Sequence, residues 1–495
     1  MVAASARAFS AAGRKPVGPP FALSPARQAQ LGLLLVSGGD ERLWLDPATR
    51  RNRNGVPATP APDELWFSSS TASAISPRGW ASAGEALDRL ISRNGGDQLS
   101  IEAWFDDIRA RLLALYGAEE CEVILSASGS EAEFLALSLA LTPADRPLVN
   151  IIVAPAETGS GVPAAADGRH FLGHASLGGA VVKGERLPGW EDAPISVEAL
   201  EIRRPDGTLR SGANVDQEAA MRVERAAGSG AFVLLHVLDA SKTGRQGVSR
   251  AAARQILARH PGQVMVVVDA CQLRCSAQAV AWDLASGFAV MLTGSKFAGG
   301  PPFSGALLVP AELARRLESA PAAAGPLAPY SAALDWPASL RASIAPQLRH
   351  PANLGLGLRW TAALAEIEAF EAVPIASREA LIADFDRAVR QRVEATPRLE
   401  VLDGPGAMGA PGLTPVIHID GSDARSVYEA LQSPADGAAP PCHLGQPVVV
   451  GERVALRVCA SMPLIARAAA EGLAAVEADL DRLFDAWSSL LPRRA

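Results

Sequence analysis

The sequence predicts an α/β protein: a large domain with a mostly parallel, helix-covered sheet, followed by a smaller C-terminal α/β domain. Three observations carry this. Between about residues 76 and 335, short apolar runs alternate with segments of helical period, the pattern of helices covering both faces of a parallel sheet. The runs at 231–237, 264–268, 288–292 and 305–309 are continuously apolar, as strands buried on both faces must be. After a Pro/Ala-rich connector at 321–329 the pattern changes to a different mixture of helix and strand.

Three regions follow from this: 1–75, an N-terminal extension and a segment bordering the functional site; 76–335, the large domain; and 336–495, the small one. The first twenty residues are rich in Ala, Ser and Pro, carry Arg7, Arg14 and Lys15, and lack acids, a composition similar to a transit peptide. Alanine and proline richness pervades the whole chain, so a flexible extension is expected instead. Residues 57–62 read as a loop and 67–73 as a polar stretch beside the site. In the last third, a helix at 355–370, strands near 415–419 and 454–458, and a long amphipathic helix at about 465–491 are expected. No internal repeat of fixed period is found.

At 495 residues with 48% apolar content and 20% charge, the chain can bury two or three cores. A net charge of -7 and no basic run argue against a nucleic-acid partner. The apolar run 31–36 is far too short to span a bilayer, so no membrane role and a cytoplasmic location are expected. Cys121, Cys271, Cys275, Cys442 and Cys459 form neither a disulfide framework nor metal-ligand spacing; they read as reduced thiols, and no metal is expected. No G-x-G-x-x-G or Walker-type sequence supports a nucleotide site.

The chemistry concentrates in three motifs. The run Val266-Val267-Val268 ends in Asp269, and the run 288–292 is followed by Thr293-Gly294-Ser295-Lys296 with glycines just beyond. A partly desolvated lysine amine condenses with an aldehyde as a Schiff base. An aspartate at a pyridine nitrogen keeps that nitrogen protonated and the ring an electron sink. Only four lysines stand among 46 basic residues, which singles out one placed after an apolar strand. Gln272, three residues after Asp269, shares its side of a helical turn and is suited to a phenolate oxygen. The third motif, Ser128-Gly129-Ser130, opens an apolar-periodic helix, where free backbone N–H groups and the helix dipole attract a phosphate. Together these parts suit pyridoxal 5'-phosphate.

The order strand, Ser-Gly-Ser-Glu-Ala helix, Asp-x-x-Gln, Gly-Ser-Lys resembles the fold type I pyridoxal-phosphate enzymes, especially the class V aminotransferase and cysteine desulfurase group. The resemblance runs from about residue 108 to 310 and weakens towards the C-terminus. It implies that Ser128, Gly129 and Ser130 hold the phosphate, with Thr293 or Ser295 adding a hydroxyl. It also implies Asp269 at the ring nitrogen, Gln272 at the phenolate oxygen and Lys296 at the aldehyde. Thr243-Gly244 fits a cofactor-contacting turn, although Ser241 stands where the family usually has asparagine. Arg457 is implied to grip a substrate carboxylate, with Arg359 the second choice. The family usually stacks a ring on the cofactor from a loop that here spans 154–161 and contains none. His170 and His174 follow it and read as structural. A homodimer is implied by resemblance alone.

These residues predict an enzyme acting on an amino acid or amine, with transamination the plainest outcome. A lyase performing β-elimination, decarboxylation or desulfuration is the competitor, because the outcome depends on which bond stands perpendicular to the ring. Desulfuration needs a nucleophilic cysteine on a mobile loop, for which Cys442 is the late candidate. A non-catalytic protein on the same fold would be expected to lack Lys296, Asp269 or both.

Overall fold

A computed structural model describes residues 23–92, 98–142, 146–404, 409–434 and 439–492. The expected N-terminal extension, with Arg7, Arg14 and Lys15, lies outside the described residues. The described strands are, in chain order, β1 Leu65–Phe67, β2 Glu122–Ser126, β3 Leu148–Val153, β4 His174–Ala175, β5 Gly179–Ala180, β6 Ile195–Leu200 and β7 Phe232–Leu238. They continue with β8 Val264–Ala270, β9 Ala289–Thr293, β10 Gly305–Val309, β11 Leu399–Val401, β12 Leu413–His418, β13 Cys442–Val450 and β14 Arg453–Cys459.

The apolar runs form the middle of a seven-stranded sheet ordered β2-β10-β9-β8-β7-β3-β6. Neighbours from β9 to β6 pair in parallel, and β10 runs antiparallel to both β9 and β2. Every residue of β7, β9 and β10 is buried, because helices cover both faces. The topology brings the carboxyl ends of β2, β3, β7, β8 and β9 to one edge, where ligands bind in open α/β sheets.

A second sheet, ordered β1-β13-β14-β12-β11, builds the smaller layer. Its C-terminal strands are antiparallel, but β1 joins β13 in parallel, so the N-terminal segment is part of this sheet. The expected helix near 465–491 is two helices, Met462–Glu471 and Leu473–Leu490. Gly472 separates them at φ 94°, a left-handed conformation that a side chain resists. The 321–329 connector contains a 3-10 turn at Pro321–Leu327.

The helix Leu354–Glu371 is buried on nearly all sides and packs on the helices Pro77–Ser92 and Gln98–Tyr116. Its Arg359, expected as a second substrate ligand, is fully buried with every nitrogen spent on main chain. Nε donates to Phe303 O at 2.6 Å, Nη1 to Leu35 O and Ser37 O at 3.1 and 2.5 Å, and Nη2 to Gly38 O at 2.8 Å. Burial pushes this guanidinium down to about 9. Arg359 is therefore a structural clamp and no donor is left for a substrate. Arg359→Met is expected to lower stability by about 3 kcal/mol or more, read as a fall in the urea midpoint, because four carbonyls lose their donors. Arg359→Lys should recover less than half, since an ammonium cannot span that fork.

Candidate active site

One cavity, of about 120 Å³, collects the loops that follow the parallel strands. It is lined by Lys296 and Asp269, together with Ser128, Gly129, Ser130, Gln272, Thr293, Ser295 and Arg457. Of the residues singled out from sequence, Thr243 and Arg359 are outside it. A larger groove of about 1250 Å³ opens between residues 273–278 and 370–394, but its walls hold no lysine and no phosphate cradle. Chemistry, not volume, selects the smaller cavity.

Asp269, Gln272 and Lys296 arrive at or just beyond the ends of parallel strands. Asp269 is the penultimate residue of β8, opposite Met291 of β9, and its Oδ1 accepts the Cys271 amide at 3.0 Å. Gln272 follows one turn later, buried, with its amide oxygen unpartnered. A half-turn of that amide presents its N–H instead. Lys296 stands on the loop after β9, where Gly294 N donates to Ser304 O and Gly300 N to Gly294 O. A Cβ at either Gly294 or Gly300 would come within 2.6 Å of Ala363 Cβ, so the helix Leu354–Glu371 seats directly on the lysine's loop. Met462 N, at the start of the helix Met462–Glu471, donates to Phe297 O at 2.7 Å and closes the other side.

At the start of the helix Gly129–Ala140, Ser128 acts as N-cap, its Oγ accepting the Glu131 amide at 3.3 Å. The amides of Gly129 and Ser130 have no acceptor among the described residues, which is the arrangement an anion needs. A Cβ at Gly129 would approach Cys271 Sγ to 2.8 Å, so this turn is packed tightly onto the loop after β8. Thr293 lines the cavity but donates its hydroxyl to Cys271 O at 2.6 Å.

Arg457 reaches the cavity from β14. The β13–β14 pairing slips between Gly445 and Val448, and a Cβ at Gly445 would meet the Arg457 side chain at 2.9 Å. The bulge and the glycine thus make room for the guanidinium to cross β13. Its Nε donates to Gln446 O at 3.1 Å, and Nη1 is buried without a partner. Burial holds this arginine below its ordinary value, which an incoming carboxylate would reverse.

The turn after β7 is placed differently from expectation. Thr243 faces away from the cavity, hydrogen-bonded to Glu157 and accepting from Arg203 Nη2 at 3.1 Å. Ser241 also donates to Glu157, at 3.0 Å. His170 bonds the Tyr330 hydroxyl at 2.6 Å and His174 stands 3.3 Å from Glu41, so both are structural. Ser70 and Thr71, from the polar stretch at 67–73, line the cavity, and so do residues the sequence did not single out: Arg42, Val162 beside the ringless loop, and Lys242. Beneath it, His236 Nε2 is 3.2 Å from Glu133 Oε1, which also accepts from Asn150 at 3.0 Å. Among the described residues no cluster of His, Cys, Asp or Glu is arranged to hold a metal, and no helix is long and apolar enough to cross a membrane.

Known structures share this architecture. The ureidoglycine–glyoxylate aminotransferase of Bacillus subtilis matches with a TM-score of 0.52 and 14% identity, over 86% of this chain and 94% of its own. The cysteine desulfurase of Escherichia coli gives 0.55 and 15%, over 87% and 96%. The alanine–glyoxylate aminotransferase of Nostoc sp. gives 0.53 and 15%, over 92% and 99%. No family model matches the sequence, and no curated protein does. The likeness shows that this chain shares the fold of these enzymes. At such identities the chemistry must be argued from this chain's own residues.

Glu131, at the base of the phosphate-like cradle, offers a test of how dry this end of the site is. Burial pushes its carboxyl up to about 8, against hydrogen bonds from the Ser176 hydroxyl and the Ala127 amide. A folded carboxyl raised above its unfolded 4.5 keeps its proton where the unfolded chain has released it, so its contribution declines as pH rises from 4.5 to about 8. Glu131→Gln should remove that decline: denaturation midpoints at pH 5 and 8.5 are expected to differ less in the variant, by up to about 4 kcal/mol.

Proposed function

We propose that the chain is a pyridoxal-phosphate-dependent enzyme acting on an amino acid or amine, and that its reaction is transamination. The observation that carries this reading is the convergence of Lys296, Asp269, Gln272 and the Ser128–Ser130 turn on one cavity. The residues fit the cofactor: an amine and a carboxylate at strand ends, a buried unpartnered amide, and free helix-start amides. Lys296 would hold the aldehyde carbon, Asp269 the ring nitrogen, Gln272 the phenolate oxygen, and Ser128, Gly129, Ser130 and Ser295 the phosphate. Bound there, the cofactor supplies a sink for the electron pair left at the substrate Cα.

The protein's share is positional. Arg457 Nη1, buried and unpartnered, would take the substrate carboxylate and fix which Cα bond faces Lys296. The Lys296 amine, when not bonded to the cofactor, would serve as general base for the Cα proton and then as general acid. The Gly294–Gly300 loop that carries Lys296 is seated on the helix Leu354–Glu371, which holds the lysine's backbone in place.

Transamination is favoured over desulfuration by the state of the thiols. Cys442 is buried on β13, donates to Pro440 O at 3.3 Å, and burial pushes its thiol up to about 11. Cys271 lines the cavity, but burial and then the charge of Asp269 raise it well above the ordinary thiol range. Neither is poised as a thiolate nucleophile. Homodimeric assembly and a cytoplasmic location belong to the proposal as well, and light scattering checks the first.

The purified protein, reconstituted with pyridoxal phosphate, is expected to show a visible absorbance that borohydride removes. Lys296→Ala should lack the reducible band and lose at least about 1000-fold in turnover. Conversion of an amino acid that requires a keto acid acceptor supports transamination. Release of ammonia, carbon dioxide or a side-chain fragment without an acceptor overturns it in favour of a lyase.

A further inference from the structure

Lys242 is a second amine in the cavity, on the turn between β7 and the next helix. Its own amide donates to Glu157 O at 2.7 Å, which fastens this turn against the loop after β3. The side chain has no carboxylate within ion-pair distance among the described residues. Glu157, the acid whose field reaches it, is already held by Arg203 at 2.5 Å and by the hydroxyls of Ser241 and Thr243. Of the acids that line the cavity, Glu133 accepts from Asn150 through Oε1 while its Oε2 has no hydrogen-bond partner, and Asp269 takes the ring nitrogen in the reading above.

Two cationic ends are left over once the cofactor's contacts are assigned, the ammonium of Lys242 and Nη1 of Arg457. They come from different layers, Lys242 from the large sheet's side and Arg457 from the small sheet. We infer that Lys242 is a specificity-determining residue that binds an anionic side chain, so that the substrate is an amino acid carrying a second acidic group beyond its α-carboxylate. This rests on the proposed pyridoxal-phosphate chemistry and deepens it.

Energetics favour an anion there. Burial, followed by the fields of Arg457 and Lys296, pushes the Lys242 ammonium down to about 8, so at neutral pH a charged amine is kept against repulsion. A monoanionic substrate leaves that repulsion in place. An acidic side chain removes it and forms a charge-assisted hydrogen bond in a partly dry site. Lysine is also scarce, four among 46 basic residues, and two of the four line this cavity.

The test uses holoenzyme and three matched pairs: aspartate with asparagine, glutamate with glutamine, and O-phosphoserine with serine. Rates of the amino-acid-induced change in the visible band give kcat and KM for each. At least one acidic member should exceed its neutral partner in the native enzyme. Lys242→Met should lower kcat/KM for that acid roughly 100-fold, mainly through KM, while neutral partners stay within about threefold. Lys242→Arg should restore the preference to within about tenfold. The phosphoserine pair distinguishes a phosphate group from a carboxylate as the second anion. The inference is overturned if no acidic member is preferred, or if Lys242→Met depresses acidic and neutral substrates alike, which would make the lysine a general structural or α-carboxylate group. A borohydride-reducible band retained in Lys242→Met shows an intact cofactor site; its absence from the native protein would sink the cofactor reading itself.

Discussion

The guanidinium of Arg359 ties together three parts of the chain that are far apart in sequence. It bonds carbonyls at the end of the first helix, in the turn that follows, and at Phe303 on the loop leading into β10. A buried guanidinium must spend its donors, and carbonyls outside regular pairing must find them, so each side satisfies the other. The result fixes the N-terminal segment, which brings Arg42, Ser70 and Thr71 to the cavity, against the loop region that carries Lys296. It also fixes the depth at which the helix Leu354–Glu371 presses on Gly294 and Gly300. The loop of Lys296 is thus held in part by an arginine whose donors are all spent on main chain.

Around that clamp the site is assembled from two layers with different duties. The large sheet supplies the amine, the carboxylate and the cradle, because parallel strands deliver their carboxyl ends, and the helix starts beyond them, to one edge. The small sheet supplies Arg457 and Gln446 through a bulge that bends β13 away from the arginine's path. Joining of β1 to β13 makes the N-terminal segment common to both layers. The cavity is therefore a product of tertiary packing, not of any single loop.

This division explains what could be read from sequence. The strand ends were legible because a strand buried on both faces writes a continuous apolar run: 264–268 against the observed Val264–Ala270, and 288–292 against Ala289–Thr293. Asp269, Gln272 and Lys296 follow those runs directly, so their convergence needed only the topology. Arg359 and Arg457 could not be separated in this way. Both are buried among apolar neighbours, and what differs is whether distant carbonyls absorb the donors. Thr243 was read from a family pattern, but Glu157, a residue 86 positions away, takes its hydroxyl. Lys242, its neighbour, was passed over because nothing local marks a lysine as buried. The break at Gly472 did carry a signal, a glycine inside a helical run, which the amphipathic period outweighed.

The charges of the cavity are arranged by the same logic of supply from different layers. Some groups are answered close at hand: Glu157 by Arg203, Arg42 by Asp40, and Glu133 Oε1 by Asn150. Lys242 and Arg457 are not, since Lys242 has no acid at ion-pair distance among the described residues and Arg457 keeps one nitrogen free. Desolvated cations are costly unless something compensates them, and a folded chain that leaves two of them facing one cavity holds a standing attraction for anions. In the proposed reading the phosphate end and the substrate end of the site then differ in kind. One would use backbone amides at a helix start, fixed in number and direction, and the other side-chain cations from two sheets, which can discriminate among ligands by the spacing of their negative groups.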